Sequence, residues 1–202
     1  MIKILALDPS GTGTTGIFFA HLDQEENTIS DYSFGEFTHK DWKEHFEFLF
    51  KLVQKLEPNI IIFEDTTYTY GRQHQGTVSL CKLLGSVNAI GHTFGFIQQV
   101  GTVPVNSVKN FRDKVQTGTE EIMGLNFEIG RGKGWKYKEK KVSLHQVDAL
   151  VVYHLWTKEN MKSKEVISKE ISTLKAKKRL GSRQKEKLEE LERIYNKQEK
   201  TC

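Results

Sequence analysis

Cysteine is scarce: the 202 residues include two, Cys81 and Cys202. Two thiols cannot build a disulfide framework or a four-ligand zinc site. Long hydrophobic runs are also missing, and nothing approaches the roughly 20 consecutive apolar residues that cross a bilayer. The opening stretch Met1–Asp8 has neither the basic start nor the small-residue cleavage site of a secretory signal. The expectation is a protein of the reducing cytoplasm with no membrane partner. The 37% of hydrophobic residues suffice for one globular domain with a real core, with room for an appendage.

Charge of one sign is in short supply as well, with a formal net of +4. The balance is uneven along the chain. Residues 1–156 hold 16 basic and 18 acidic side chains, whereas residues 157–202 hold 14 and 8. The basic excess therefore sits in a C-terminal extension, Lys/Glu-rich and sparsely apolar, that reads as two short helices broken at Gly181-Ser182. A second basic stretch lies within the near-neutral body at Arg131, Lys133, Lys136, Lys138, Lys140 and Lys141. Local basic stretches on a neutral body point to a polyanionic partner.

Periodicity divides the body into alternating elements. Ile2 to Leu7 is a nearly continuous apolar run ending in Asp8, the pattern of a strand covered on both faces. The turn from Pro9 to Gly16 leads to a returning strand at Ile17–Ala20, and a third strand spans Ile29 to Phe37. Asp41 opens a helix with Trp42, Phe46, Leu49, Phe50, Val53 and Leu56 on one face. Ile60–Phe63 is a second buried strand, ending in Glu64 and Asp65, which alternation aims at opposite faces. A helix from about Thr77 to Phe94 follows, then an interrupted strand over Phe96–Val100 and Val103–Val105. A short helix, capped by Asn106 or Ser107, carries Lys109, Phe111 and Arg112. Residues 116–141, Gly-rich and without a clear period, read as a long loop of the kind usually given to function. Ser143 and Gln146 form a capping box that starts a helix bearing His145 and Asp148. Three strands, helix, strand, helix, strand, helix is an α/β order built on a mixed sheet.

Ligand sites of such sheets gather at the carboxyl ends of the strands. Asp8 and Glu64 would stand side by side there, and the last helix would add His145 and Asp148 from its first turns. Taken singly, Asp8 suits a turn and an acid suits a helix start. Taken together, they form an acidic cluster that is repulsive unless cations fill it. Hard divalent ions, Mg²⁺ or Mn²⁺, match such donors, and two of them are the standard device for in-line attack on a phosphodiester. His145 is a proton acceptor, or a ligand for Mn²⁺.

Three stretches resemble, in order and spacing, the catalytic motifs of the RuvC-type Holliday junction resolvases, members of the ribonuclease H-like nucleases. They are Leu5-Ala6-Leu7-Asp8-Pro9-Ser10, Ile61-Ile62-Phe63-Glu64 and His145-Gln146-Val147-Asp148-Ala149-Leu150. Between them, Leu83–Gly91 is similar to the family's long helix and Val103–Lys109 to its next strand and helix. The resemblance covers residues 1–157 and implies a five-stranded mixed sheet flanked by helices, with residues 158–202 as a basic helical extension. It implies a crossover junction endonuclease that needs two Mg²⁺ or Mn²⁺ ions and cuts four-way or related branched DNA as a homodimer. Asp8, Glu64 and Asp148 would be the metal-binding carboxylates, with His145 in the fourth position. The resemblance alone selects Glu64 over Asp65. It also implies an aromatic wedge after that Glu, for which Tyr68 and Tyr70 stand near but off the usual spacing.

Further DNA contacts are expected from Arg72, Lys109, Arg112, Arg131, Lys133, Lys136 and Lys138, through phosphate neutralisation, and from Trp135 and Tyr137, through base stacking. The tail reads as a solvated helical pair, or as a surface for a partner subunit. Two other functions fit parts of the pattern. An actin-like phosphotransferase also opens with strand, Asp and a Gly/Thr hairpin, although this chain is short for its paired domains. A non-catalytic nucleic-acid-binding module could keep the same fold.

Overall fold

The computed structural model describes residues 1–23, 28–66, 75–129, 134–161, 164–176 and 181–199. Its centre is a five-stranded sheet of β1 (Ile2–Asp8), β2 (Thr14–Asp23), β3 (Thr28–Thr38), β4 (Ile60–Asp65) and β5 (Gln99–Pro104). The spatial order is β3-β2-β1-β4-β5, antiparallel from β1 through β3 and parallel from β1 through β5. β1 is therefore the middle strand. Ile4, Leu5 and Ala6 are fully buried and Leu7 nearly so, as its unbroken apolar run requires.

Alternation along the strands feeds two cores. Ile4, Ala6, Phe18, Ala20 and Ile62 face α4 (Leu144–Asn160) and α3 (Val105–Gln116). Leu5, Leu7, Ile17, Phe19, Ile61 and Phe63 face α1 (Trp42–Leu56) and α2 (Gln75–Thr93). The result is a three-layer α/β/α arrangement, and the expected element order holds.

Two expectations near the middle of the chain are corrected. β5 is one continuous strand, without an interruption before Val103. α3 starts at Val105 behind Pro104, with no side-chain cap from Asn106 or Ser107; proline's fixed φ and absent N–H suit that place.

Residues 116–141 are the larger correction. They include a second, three-stranded antiparallel sheet, β6 (Leu125–Glu128), β7 (Gly134–Tyr137) and β8 (Lys140–Val142). Trp135 and Tyr137 point into the first core at 6% and 4% exposure, where Tyr137 meets Tyr32 and Phe34 edge-on. Lys138 and Glu139 turn the β7–β8 hairpin at φ of 45° and 68°, the left-handed pair that a two-residue loop needs.

Helix α4 packs on the main sheet and on α3, in the same core that Trp135 and Tyr137 enter. Eight of its residues are buried, in nearly every direction around its axis. The C-terminal helices α5 (Lys164–Lys175) and α6 (Ser182–Glu199) pack on each other through Ile171, Leu174, Leu188 and Leu191. Lys175 Nζ lies 2.7 Å from Glu192 Oε1 across that pair. Among the described residues no helix is long and apolar enough to cross a membrane.

Candidate active site

β1 and β4 run parallel with Leu7 beside Phe63, so the residue after each, Asp8 and Glu64, comes to one end of the sheet. Glu64 is half-buried and Asp65 exposed, the opposite-facing pair that alternation implies. Helix α4 reaches the same end through its first turn. Ser143 Oγ accepts from the Gln146 N–H at 3.2 Å, and Gln146 Oε1 accepts from the Ser143 N–H at 3.0 Å. Ser143 Oγ also donates to Glu36 Oε2 on β3 at 2.6 Å, tying the helix start to the sheet.

How close α4 comes is decided by Gly16, the β2 residue paired with Asp8. A Cβ at position 16 would overlap the His145 backbone carbonyl. Only glycine permits this approach, and with it His145 Nδ1 stands 2.8 Å from Asp8 Oδ2. One turn further on, Asp148 is 8% exposed. Arg112 Nη1, from α3, donates to both of its oxygens at 2.9 and 2.8 Å.

The electrostatics of the three acids are shared. Burial lifts the Asp8 carboxyl to about 6, with help from the charge on Asp148 and against the His145 hydrogen bond. Burial lifts Glu64 further, to about 8, and the charges of Asp8 and Asp148 add to it. Asp148 is also raised by burial, opposed by Arg112. Three carboxylates that each hold a proton too tightly form a site short of positive charge.

Among the described residues no three His, Cys, Asp or Glu side chains stand as a ready-made metal cage. Asp8 is engaged by His145, and Asp148 by Arg112. The donor chemistry nevertheless fits hard divalent ions: oxygen-rich, partly desolvated and mutually repelling.

The expected DNA contacts fare differently. Arg112 is committed to Asp148, with Asp113 3.5 Å from its other terminal nitrogen. Lys109, one turn earlier on α3, is exposed, and its charge reaches both Glu64 and Asp148. Trp135 and Tyr137 are core residues, so no ring face is free for a base; this corrects the stacking reading. Lys136 Nζ bonds Glu128 Oε1 at 2.7 Å, and Lys138 Nζ lies 4.5 Å from the Tyr32 ring centroid. Tyr68, Tyr70, Arg72, Arg131 and Lys133 lie outside the described residues.

Sequence reasoning missed Arg112's engagement with Asp148. The signal was there in Val108, Phe111 and Val115, whose inward face on α3 leaves Arg112 at its edge. It also missed His45, fully buried on α1. Its Nδ1 lies 2.9 Å from Thr15 Oγ1, and its Nε2 lies 3.0 Å from the His39 carbonyl. Thr15 Oγ1 accepts in turn from the Ser10 N–H at 3.0 Å, so α1 braces the turn that follows Asp8.

No protein-family model matches the chain. No curated protein matches it by sequence. Solved structures do match. RuvC of T. thermophilus in complex with a Holliday junction substrate is similar at 14% identity with a TM-score of 0.54, over 81% of this chain and 99% of that one. The Thermus thermophilus RuvC structure is similar at 15% identity and a TM-score of 0.53, over 78% and 96%. At such identities the likeness is one of fold. The mixed five-stranded sheet flanked by helices is accordingly the ribonuclease H-like fold, shared with these RuvC structures.

Proposed function

We propose that the chain is a divalent-metal-dependent endonuclease that resolves four-way DNA junctions, or related branched DNA, by paired phosphodiester hydrolysis. The observation that carries this reading is the meeting of Asp8, Glu64 and Asp148 from three separate elements, each carboxyl raised by burial, with the charge of Asp148 acting on both of the others. A fold needs no such cluster for its stability; the cluster opposes it. Asp8, Glu64 and Asp148 would hold Mg²⁺ or Mn²⁺, and two such ions would supply an activated water and a stabilised leaving oxygen.

The protein's own groups have separate tasks. An ionised Asp8 can only accept, so the His145 Nδ1–H donates to it and fixes the ring. The other ring nitrogen, Nε2, is then left with its lone pair on a side chain that is 44% exposed. It is placed to take a proton from an attacking water. Arg112 holds Asp148 against the charge of its neighbours. Lys109, exposed beside the acids, is suited to a substrate phosphate.

Paired cuts on a two-fold junction call for a two-fold dimer of the nuclease domain, residues 1–157, with residues 158–202 as its helical extension and the cytoplasm as its place. The test uses a labelled four-way junction and a linear duplex, each with and without Mg²⁺ or Mn²⁺. Paired nicks on the junction should need the metal. They should fall by more than about a hundredfold in Asp8→Asn and Asp148→Asn, beyond what loss of a supporting residue costs. Cleavage that survives both substitutions refutes the site; binding without cleavage by the intact protein refutes the enzyme.

A further inference from the structure

A cleft of about 710 Å³ opens beside the turn that joins β1 to β2. Thr12 of that turn forms one wall. The residues Lys40 to Lys43 at the start of α1 form another, and Ser79 and Lys82 on α2 a third. Neither the acidic cluster nor the small sheet contributes a residue to it.

The cleft is positively charged. Lys40, Lys43 and Lys82 are all exposed, and none of them forms an ion pair with a described residue. The one acid in the lining, Asp41, uses its carboxylate to cap α1, accepting from the Lys43 N–H at 3.0 Å. Lys82 Nζ lies 5.8 Å from the Trp42 ring centroid, where the negative face of the ring attracts the ammonium and keeps it at the cleft wall. Three ammonium groups against one carboxylate leave this open, mostly polar space with a net positive charge, which suits an extended polyanion better than a small apolar ligand.

Its position narrows the occupant. Thr12 is four residues from Asp8, so their Cα atoms are at most about 14 Å apart. The connection between them is rigid. A Cβ at Gly11 would overlap the α2 backbone at Ser79 and Leu80, so the turn is pressed directly onto that helix. His45 and Thr15 lock α1 to the same turn. Whatever fills the cleft is therefore held at a set distance from the carboxylates that end β1 and β4.

We propose that this cleft binds the phosphodiester backbone of one duplex arm of the DNA substrate, with Lys40, Lys43 and Lys82 as its phosphate contacts. The proposal rests on the nuclease reading of the neighbouring acids. It adds a track for the strand leading away from them, provided by α1 and α2.

The experiment measures binding of a fluorescent four-way junction in EDTA across a KCl series, for the full chain and for Lys40→Gln/Lys43→Gln/Lys82→Gln. Each duplex phosphate contact contributes about 0.9 to the slope of log affinity against log salt. Loss of three contacts should reduce the slope by two to three, and weaken binding at least about tenfold at low salt. Lys51→Gln, on α1 outside the cleft, should leave both unchanged. With Mg²⁺, the triple variant should need more enzyme to reach half-maximal cleavage yet cut at an unaltered maximal rate. An unchanged salt slope in the triple variant overturns the cleft while leaving the nuclease reading intact. A normal slope effect in a protein that never cleaves overturns the nuclease reading and leaves the cleft as a DNA site. A fall in melting temperature shared by Lys51→Gln and the triple variant, with no difference in slope between them, also counts against it.

Discussion

Glu64 should destabilise the folded protein once its carboxyl ionises. Its carboxyl rises from an ordinary 4.5 to about 8 through burial and the charges of Asp8 and Asp148. The folded state then binds the proton more tightly than the unfolded state, so stability present below about pH 4.5 is lost progressively as pH rises to about 8. At about 1.36 kcal/mol per pH unit, full ionisation in a dry site would cost up to about 5 kcal/mol. Glu64 is half-buried, and solvent screening leaves about 2 kcal/mol.

Glu64→Gln removes the charge and keeps the shape. In EDTA at pH 8.5 it should melt about 4–8 °C above the parent protein, taking 2–4 °C per kcal/mol for a chain of this size. At pH 5, where Glu64 is protonated, the two curves should converge. Mg²⁺ should raise the parent's melting temperature and leave that of the variant nearly unchanged. The assay is thermal unfolding by circular dichroism from pH 5 to 9, with and without the ion. A variant no more stable than the parent at pH 8.5, or offset equally at every pH, would refute the account of the cluster.

Arg112→Gln leaves Asp148 buried without its cation. It should cost about 3 kcal/mol in urea unfolding at pH 7.5, and the loss should shrink as pH falls, because burial raises the Asp148 carboxyl; an equal loss at every pH would show that the ion pair is not the cause. Trp135→Ala should lose about 3–5 kcal/mol by cavity formation and keep the salt slope of junction binding. A stable Trp135→Ala protein with impaired DNA binding would restore the stacking role.

The parts of this fold legible in the sequence are those with redundant signals. β1 and β4 are apolar on both faces and end in acids, and α4 has both halves of its capping box as well as an apolar run. Those elements carry Asp8, Glu64, His145 and Asp148 toward one end of the sheet, although the strand pattern alone did not choose Glu64 over Asp65. The small sheet was not legible in this way. Its strands have three or four residues, too few for a period to stand out among lysines and glycines, and its β7–β8 turn uses Lys138 and Glu139 where glycine or asparagine would have signalled a hairpin. Trp135-Lys136-Tyr137 does alternate in and out, but three residues beside so much charge read equally well as a nucleic-acid surface. The Arg112–Asp148 contact joins residues 36 apart; the apolar face of α3 puts Arg112 at its edge, but nothing local names Asp148 as the partner.

Helix α4 packs against the main sheet and α3, with buried residues nearly all round its axis and Gly16 allowing its first turn to touch β2. An element packed on all sides is among the last to open, so its amides should exchange with solvent only when the whole domain unfolds. Asp148 and His145 therefore ride on one of the least deformable parts of the molecule. If the proposed function holds, a junction entering this site would meet fixed acids, and the bending and unstacking needed to present a phosphate to them would fall to the DNA.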